Sequence, residues 1–463
     1  MQRENFKSRL GFLLISAGCA IGIGNVWRFP YVVGQNGGGA FVLLYVLFLV
    51  AVGVPVLTME FAIGRASRKS CVLAYQQLEP AGTKWHWHGK VAMLGNYVLM
   101  SFYTCVTGWM LYYFYRSLAG QLEGMDTDQV AKAFSGMLSQ PVTMGFWMVV
   151  VVVLGFLICS MGLQKGVERI TKWMMLALLA LIVVLAVNSV MLPGGIEGVK
   201  FYLVPDFSVM AGETALETVQ NTLGVVTAAL NQSFFTLSLG IGAMLIFGSY
   251  LGRQRSLLGE SVRIAGLDTF VAFTSGLIIF PACMAYNVPA DSGPNLIFIT
   301  LPNVFNDMPA GRVWGSLFFL FMSFAAFSTI IAVFENILAC WMDRWNISRN
   351  RAVAANLVLI LLLSLPCLLG NNLWSGVQIL GMSIMDFEDF LVSNNLLPLG
   401  SVIYLLFCCT SSKYGWGFDR FLAEVDQGQG IRFPARFRIY FTYILPVIVL
   451  VIFVMGYWDK FGG

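Results

Sequence analysis

Long apolar runs, separated by short polar and basic stretches, fill the chain from end to end. Eleven runs lie near 10–33, 40–64, 90–118, 143–162, 168–192, 221–251, 260–287, 311–342, 351–370, 384–410 and 438–457. Each reaches the roughly 20 residues that a helix needs to cross a bilayer, and several exceed it, which predicts tilt, kinks or internal breaks. None shows the alternation, about ten residues long, of a membrane barrel strand. Lipid offers no partner to a free backbone amide, so unbroken apolar runs predict helices. Two of them are interrupted at similar depth, by Gly22-Ile23-Gly24 in the first and Gly240-Ile241-Gly242 in the sixth. Glycine inside a helix costs about 1 kcal/mol relative to alanine. Such interruptions at corresponding places in two halves point to a transporter's binding site, although glycines that only let helices pack closely leave the same trace. The breaks are five runs apart, an odd number. Residues 10–192 and 221–410 therefore read as two repeats of opposite topology, with 438–457 appended, in one transmembrane domain over 1–463.

Composition narrows the class. Of 463 residues, 58% are hydrophobic and 11% charged, and the mean hydropathy is +0.76. A soluble domain carries about 25% charged residues, so this chain could not clothe a globule in solvated side chains. Disordered, collagenous, coiled-coil and disulfide-scaffold classes are excluded. The net charge of +4 says less than its distribution. Basic residues gather in alternate loops, at Arg65, Arg68 and Lys69, at Lys165, Arg169 and Lys172, at Arg253, Arg255 and Arg263, and at Arg344, Arg349 and Arg351. This bias predicts a multi-pass protein of the inner (plasma) membrane with a cytoplasmic N-terminus. An odd number of spans then puts the C-terminal tail outside. The first run continues into Arg28 and Pro30 without a small-residue cleavage site, so it reads as a helix and not a signal peptide. Nine cysteines show no CxxC or zinc spacing and read as reduced packing residues. Nothing implies a nucleic-acid or obligate protein partner; the lipid bilayer is the implied surround.

Ionisable residues inside the apolar runs each ask for a reason, because a charge at mid-bilayer costs ~2.5–3.5 kcal/mol. They are Arg28, Glu60, Asp268, Glu335, Asp386, Glu388 and Asp389. All but one are acidic, which suits a cation pathway or carboxylates that cap exposed amides. Asp386 and Glu388 read equally as the wall of an outward vestibule. Ser323, Ser328 and Thr329 by themselves suggest only back-bonding to the preceding turn. His86 and His88, flanked by Trp85 and Trp87, read as an interfacial belt and not as a metal site. No HExxH, GxSxG or Walker loop occurs, so no enzyme is predicted.

The run Gly18-Cys19-Ala20-Ile21-Gly22-Ile23-Gly24-Asn25-Val26-Trp27-Arg28-Phe29-Pro30-Tyr31, with Asn36-Gly37-Gly38-Gly39-Ala40-Phe41 after it, resembles the opening of the neurotransmitter:sodium symporter family. Gln232-Ser233-Phe234-Phe235-Thr236-Leu237-Ser238-Leu239-Gly240 resembles the family's sixth helix, and Ser292-Gly293-Pro294 falls where the family has an outer lid. The resemblance covers nearly the whole chain and is closest to the bacterial amino-acid branch with eleven helices. It implies an all-α LeuT-like fold, a 5+5 inverted repeat with helices 1 and 6 broken and one extra C-terminal helix. It also implies sodium-coupled import of an amino acid by alternating access.

Residue by residue, the resemblance implies a first sodium site at Ala20, Asn25, Thr236 and Asp268, and a second at Gly18, Ile21, Ala325, Ser328 and Thr329. The i, i+3, i+4 spacing of Ala325, Ser328 and Thr329 fits one helical face. Glu60 resembles the acid that caps amides of broken helix 6. The substrate pocket would be lined by Cys19, Ala20, Gly22, Ile23, Gly24, Leu99, Tyr103, Phe235, Ser238, Ile241, Thr329 and Val333, with Tyr103 bonding the substrate carboxylate. Gly22 stands where the family's monoamine transporters carry an acid, so a neutral hydrophobic or aromatic L-amino acid is the implied substrate. Arg28 with Asp389 would form the outer gate. Arg3 with Asp343, near Ser249 and Tyr250, would form the inner one. Tyr45, Gln232 and Thr236 match the family's chloride site, but Ala272 replaces a serine there and Asp268 replaces a neutral residue, which implies chloride-independence. Many members have a proline ten residues after a glycine in segment 5, where the helix unwinds; here Leu176 follows Gly166, which leaves that unwinding in doubt. A channel, or an amino-acid sensor that kept the fold but lost coupling, are the rival readings.

Overall fold

The computed structural model describes residues 6–286 and 295–461. Among them there is no strand, only isolated backbone bridges such as Gly38 with Pro205. The long helices in chain order are α1 (Arg9–Ala20), α2 (Gly24–Gln35), α3 (Gly39–Ser67), α4 (His86–Leu118), α5 (Pro141–Ser160) and α6 (Leu163–Val190). A second group comprises α7 (Ala215–Thr236), α8 (Leu245–Ser249), α9 (Leu257–Ala285), α10 (Gly311–Trp345), α11 (Arg349–Gly370), α12 (Ile384–Cys409) and α13 (Tyr440–Trp458). Among the described residues nine helices are long and apolar enough to cross a membrane, and the bent pair α1–α2 makes a tenth. The predicted run 221–251 is not one helix but α7, an irregular stretch and the short α8. The predicted lid residues 292–294 lie outside the described residues.

The two breaks form where glycine was found, and for different local reasons. Ser8 caps α1 by accepting from Gly11 N. The chain then leaves the helix at Ile21, with ψ 104°, and re-enters as α2 with a 56° bend. Between α7 and α8, Ser238 (φ 51°), Gly240 (φ 95°) and Gly242 (φ 70°) take left-handed conformations. Glycine adopts these freely, and serine does so at a cost. The five-residue α8 is too short to persist alone. It is held because Gly64 and Gly248 let α3 and α8 touch backbone to backbone: a Cβ on Gly64 would lie 1.9 Å from Leu245 O, and one on Gly248 2.4 Å from Phe61 O.

Helix burial separates centre from periphery. The most apolar window of α10 is 83% buried and that of α4 78%, whereas α11 and α13 reach 33% and 28%. α10 packs along α4 and also meets α1 and α6; α9 packs on α6 and α3. The outer helices show Phe146, Leu157, Val358 and Leu362 at their surface, as lipid-facing positions should. α6 begins with a wide π-helical turn, Leu163–Glu168, and continues unbroken to Val190.

Candidate functional site

The breaks in α1–α2 and α7–α8 meet at the centre of the molecule. Gln232 Nε2 donates to Gly24 O at 3.1 Å, and Ser238 Oγ to Cys19 O at 3.4 Å. Glu60, fully buried on α3, accepts from Gly240 N at 2.7 Å, so the predicted cap of the second break is present. This carboxylate supplies the acceptor that an interrupted helix no longer offers.

Two clusters of oxygen atoms form beside the breaks. In the first, Asn25 Nδ2 donates to Thr236 Oγ1 at 3.0 Å and to Asp268 Oδ1 at 2.8 Å. Thr236 Oγ1 donates to Asp268 Oδ2 at 2.8 Å, and Asn25 Oδ1 accepts from Gly22 N at 3.2 Å. Asp268 is fully buried on α9, and among the described residues its carboxylate is held by Asn25 and Thr236 and by no basic side chain. In the second cluster, Ser328 Oγ lies 3.3 Å from Ile21 O and 2.8 Å from Ala325 O. Thr329 Oγ1 lies 3.3 Å from Gly18 O and from Ile21 O. Hard oxygen donors with one acid are what a small alkali or alkaline-earth cation takes. The structure brings together all the residues named for both sets except Ala20, whose carbonyl makes none of these bonds. Around the first cluster, Tyr45 Oη lies 3.4 Å from Thr236 Oγ1, and Ala272 is fully buried.

Between the breaks and α4, α10 and α12 lies a cavity of about 20 Å³ lined by Ala20, Gly24, Leu99, Tyr103, Phe235, Ser238, Ile241, Thr329, Val392 and Leu397. This is room for little more than one water, so the pocket is closed around its own walls. Eight of these residues were expected from the sequence; Val392 and Leu397, on α12, were not. Four expected residues do not line it. Ile23 faces a second cavity above. Cys19 contributes its carbonyl, not its thiol, by accepting from Ser238 and Thr329. Val333 is fully buried one turn beyond Thr329, among apolar neighbours. Gly22 packs so closely that a Cβ there would lie 2.1 Å from Tyr103 Oη and 2.5 Å from Thr329 Oγ1. Tyr103 Oη accepts from Ile23 N at 2.8 Å, a backbone amide freed by the break.

Above this pocket is a cavity of about 340 Å³ that Trp27, Arg28, Tyr103, Phe235, Asp386 and Asp389 help to line. The Arg28 guanidinium stacks over Phe235 at 4.2 Å. It reaches Asp389 directly at 3.7 Å, and more closely through Ser393, which it donates to at 2.8 Å and which donates to Asp389 at 2.6 Å. The expected pair is thus a triad, and Ser393 went unrecognised in the sequence. On the opposite, basic face the arrangement differs from expectation. Arg3 lies outside the described residues, and Asp343 accepts from Ser70 N at 2.7 Å. Tyr250 Oη donates to Glu335 at 3.0 Å, and Glu335 receives Arg349 through two bonds of 2.7 and 2.9 Å. No local signal links Glu335 with Arg349, since each lies in a different helix. His86 is 2.7 Å from Glu79 and His88 is wedged between Tyr75 and Tyr404, so the two rings share no site. All nine cysteines are buried and free.

Comparison with known proteins agrees with this architecture. The model of the sodium:neurotransmitter symporter family matches residues 3–133 and 129–460. The sodium-dependent transporter YhdH of Bacillus subtilis is 33% identical over 450 residues, covering 97% of this chain and 96% of its own. A sodium-dependent transporter of Haemophilus influenzae is 31% identical over 463 residues, covering 98% of each. The crystal structure of MhsT in complex with L-phenylalanine superimposes with a TM-score of 0.87 at 35% identity, covering 98% of this chain and 99% of that one. Broken helices facing each other, and matches over the full length, lead to one conclusion: the chain belongs to the sodium:neurotransmitter symporter family of sodium-dependent, multi-pass membrane transporters with a LeuT-like fold.

Proposed function

We propose that this symporter imports a neutral hydrophobic or aromatic L-amino acid together with two sodium ions, without chloride. The observation that carries the reading is the pocket itself, a mainly apolar space between two helix breaks with no acid among the described residues of its wall. Leu99, Phe235 and Ile241 suit an apolar side chain, and the amides freed at 22–24 with Tyr103 suit a carboxylate. An amine without a carboxylate would find no anionic partner at Gly22. That MhsT was crystallised with L-phenylalanine supports the same class. The two oxygen clusters would hold the sodium ions, the first through Asn25, Thr236 and Asp268, the second through Gly18, Ile21, Ala325, Ser328 and Thr329.

Chloride-independence rests on Asp268. A fixed carboxylate beside a cation about 4 Å away, at an effective dielectric of about 20, attracts it by about 4 kcal/mol before desolvation. That supplies the charge a bound anion would otherwise bring. The basic face is read as cytoplasmic and the cavity beside Arg28 as open to the outside of the inner membrane, with the C-terminus outside.

Uptake of labelled phenylalanine or leucine into proteoliposomes, with and without a sodium gradient, tests the reading. Uptake should need the gradient and should persist when gluconate replaces chloride. Asp268→Asn should weaken sodium activation severely. A wild-type rate that collapses without chloride would remove Asp268 from this role. Gly22→Asp should abolish uptake, but the contact with Tyr103 means that crowding alone suffices for that. Tyr103→Phe is the cleaner probe. Losing a hydrogen bond to a carboxylate costs about 1.5–3 kcal/mol, so its substrate affinity should fall roughly ten- to a hundredfold.

A further inference from the structure

α12 does not run as a regular helix past the pocket. Residues Leu391–Leu396 form a π-helical turn, closed where Leu397 N–H bonds to Val392 O, five residues back. The turn has a consequence for side chains. On an α-helix of 3.6 residues per turn, positions 392 and 397 would point about 140° apart. In a turn closed over five residues they share a face, and π-turns of this kind recur at functional sites. Both side chains line the central cavity, with exposures of 0% for Val392 and 2% for Leu397.

The wall they make is fixed to the second helix break. A Cβ on Gly240 would lie 2.3 Å from Leu397 O, and a Cβ on Gly400 would lie 2.1 Å from Gly240 O. The backbone of α12 therefore rests directly on the backbone of the break, and the wall cannot retreat unless the break moves with it. Next to the wall, Gly95 of α4 leaves room for the neighbours Ile241 and Leu396, whose side chains would come within 3.0 and 3.1 Å of a Cβ there. The same π-turn carries Ser393, which holds Arg28. Pocket wall and outer triad thus sit on one short segment.

We infer that the π-helical turn of α12 is the size-selecting wall of the substrate pocket, with Val392 and Leu397 setting the bulk of side chain admitted. The inference rests on the amino-acid reading above and adds a fourth wall to the helix breaks, α4 and α10. Leu397→Ala removes three carbons from the wall and widens the pocket, and Leu397→Phe narrows it. Because a methylene in an apolar pocket is worth about ten- to two-hundredfold in discrimination, the ratio between large and small substrates should shift clearly.

The experiment measures sodium-driven uptake of labelled tryptophan, leucine and alanine by the full-length protein in proteoliposomes. Reading ratios within one preparation cancels differences in yield. Leu397→Ala should raise the tryptophan-to-leucine ratio about tenfold or more, and Leu397→Phe should lower it while sparing alanine. Should the Leu397 variants yield no protein, Val392→Ala and Val392→Phe carry the same comparison at the other end of the turn. Ratios that stay within about twofold of wild type in every variant obtained would overturn the inference while the amino-acid reading stands. A wild-type protein that takes up no neutral amino acid on a sodium gradient would overturn both.

Discussion

The pocket is closed by unequal means on its two sides. Toward the Arg28 face, Tyr103 and Phe235 line both the central cavity and the 340 Å³ cavity above it, so the partition is one side chain thick. Its ion pair is loose, since Arg28 and Asp389 keep 23% and 40% of their side-chain exposure and meet best through Ser393. Toward the basic face, a cavity of about 440 Å³ bounded by Phe6, Arg9, Arg68 and Tyr250 shares no lining residue with the centre. Tighter pairs stand around it. Glu335 is fully buried and receives two bonds from Arg349 and one from Tyr250. Glu168 accepts from Lys7 N, Ser8 N and Ser8 Oγ at 2.9–3.1 Å, which ties the segment before α1 to the start of α6. Arg9 bonds Glu260 at 2.8 Å. The difference teaches which side opens first from this conformation. A thin partition under a partly exposed ion pair yields at little cost, whereas removing one partner of a buried pair strands a charge.

The largest effect should come from Glu335→Leu. It leaves Arg349, only 18% exposed, without its carboxylate, at a cost of about 3–5 kcal/mol to this closed form. Reaction of Cys19 with a thiol reagent supplied to the basic face should accelerate by about a hundredfold or more, with a Cys19→Ser variant as the blank. An unchanged rate would mean that the Glu335 pair does not hold this side shut.

Glu168→Gln should have an intermediate effect. It keeps the shape but replaces charge-assisted bonds by neutral ones, worth about 1–2 kcal/mol in sum. The same labelling should then rise about tenfold. A rate equal to that of Glu335→Leu would erase the proposed ranking within the basic face.

Ser393→Ala should matter least. It removes the bridging hydroxyl but leaves Arg28 stacked on Phe235 and within 3.7 Å of Asp389. Half-exposed pairs contribute about 0–1 kcal/mol, so release of bound amino acid toward the Arg28 face should quicken by less than about fivefold. A fifty-fold change would show the two sides to be equally guarded.

Much of the frame was legible in the sequence because lipid imposes it. Helix positions followed from apolar run length, and the two breaks from Gly22, Gly24, Gly240 and Gly242, since glycine weakens a helix and permits backbone that other residues rarely adopt. Resemblance then named Asn25, Thr236 and Asp268, Ser328 and Thr329, and Glu60, which the structure gathers at those breaks. What the sequence misplaced were contacts that depend on register. Val333 looked like one more turn of the pocket face of α10, but α10 is buried nearly all round, so its pattern does not say which neighbour each side meets.

Only the tertiary structure decided the rest. A π-turn adds one residue to a helical circuit, and apolar residues on both sides of Val392 and Leu397 conceal that shift from any count of periodicity. Arg65 and Glu424 are paired at 2.7 Å across a separation of 359 residues, and no local pattern carries such a pairing. Apolar run length is a property of the chain facing lipid, so the sequence alone determined where helices cross and where they break. Which buried group meets which is a property of packed helices, where the cost of an unpaired charge is settled only when the partner helix arrives.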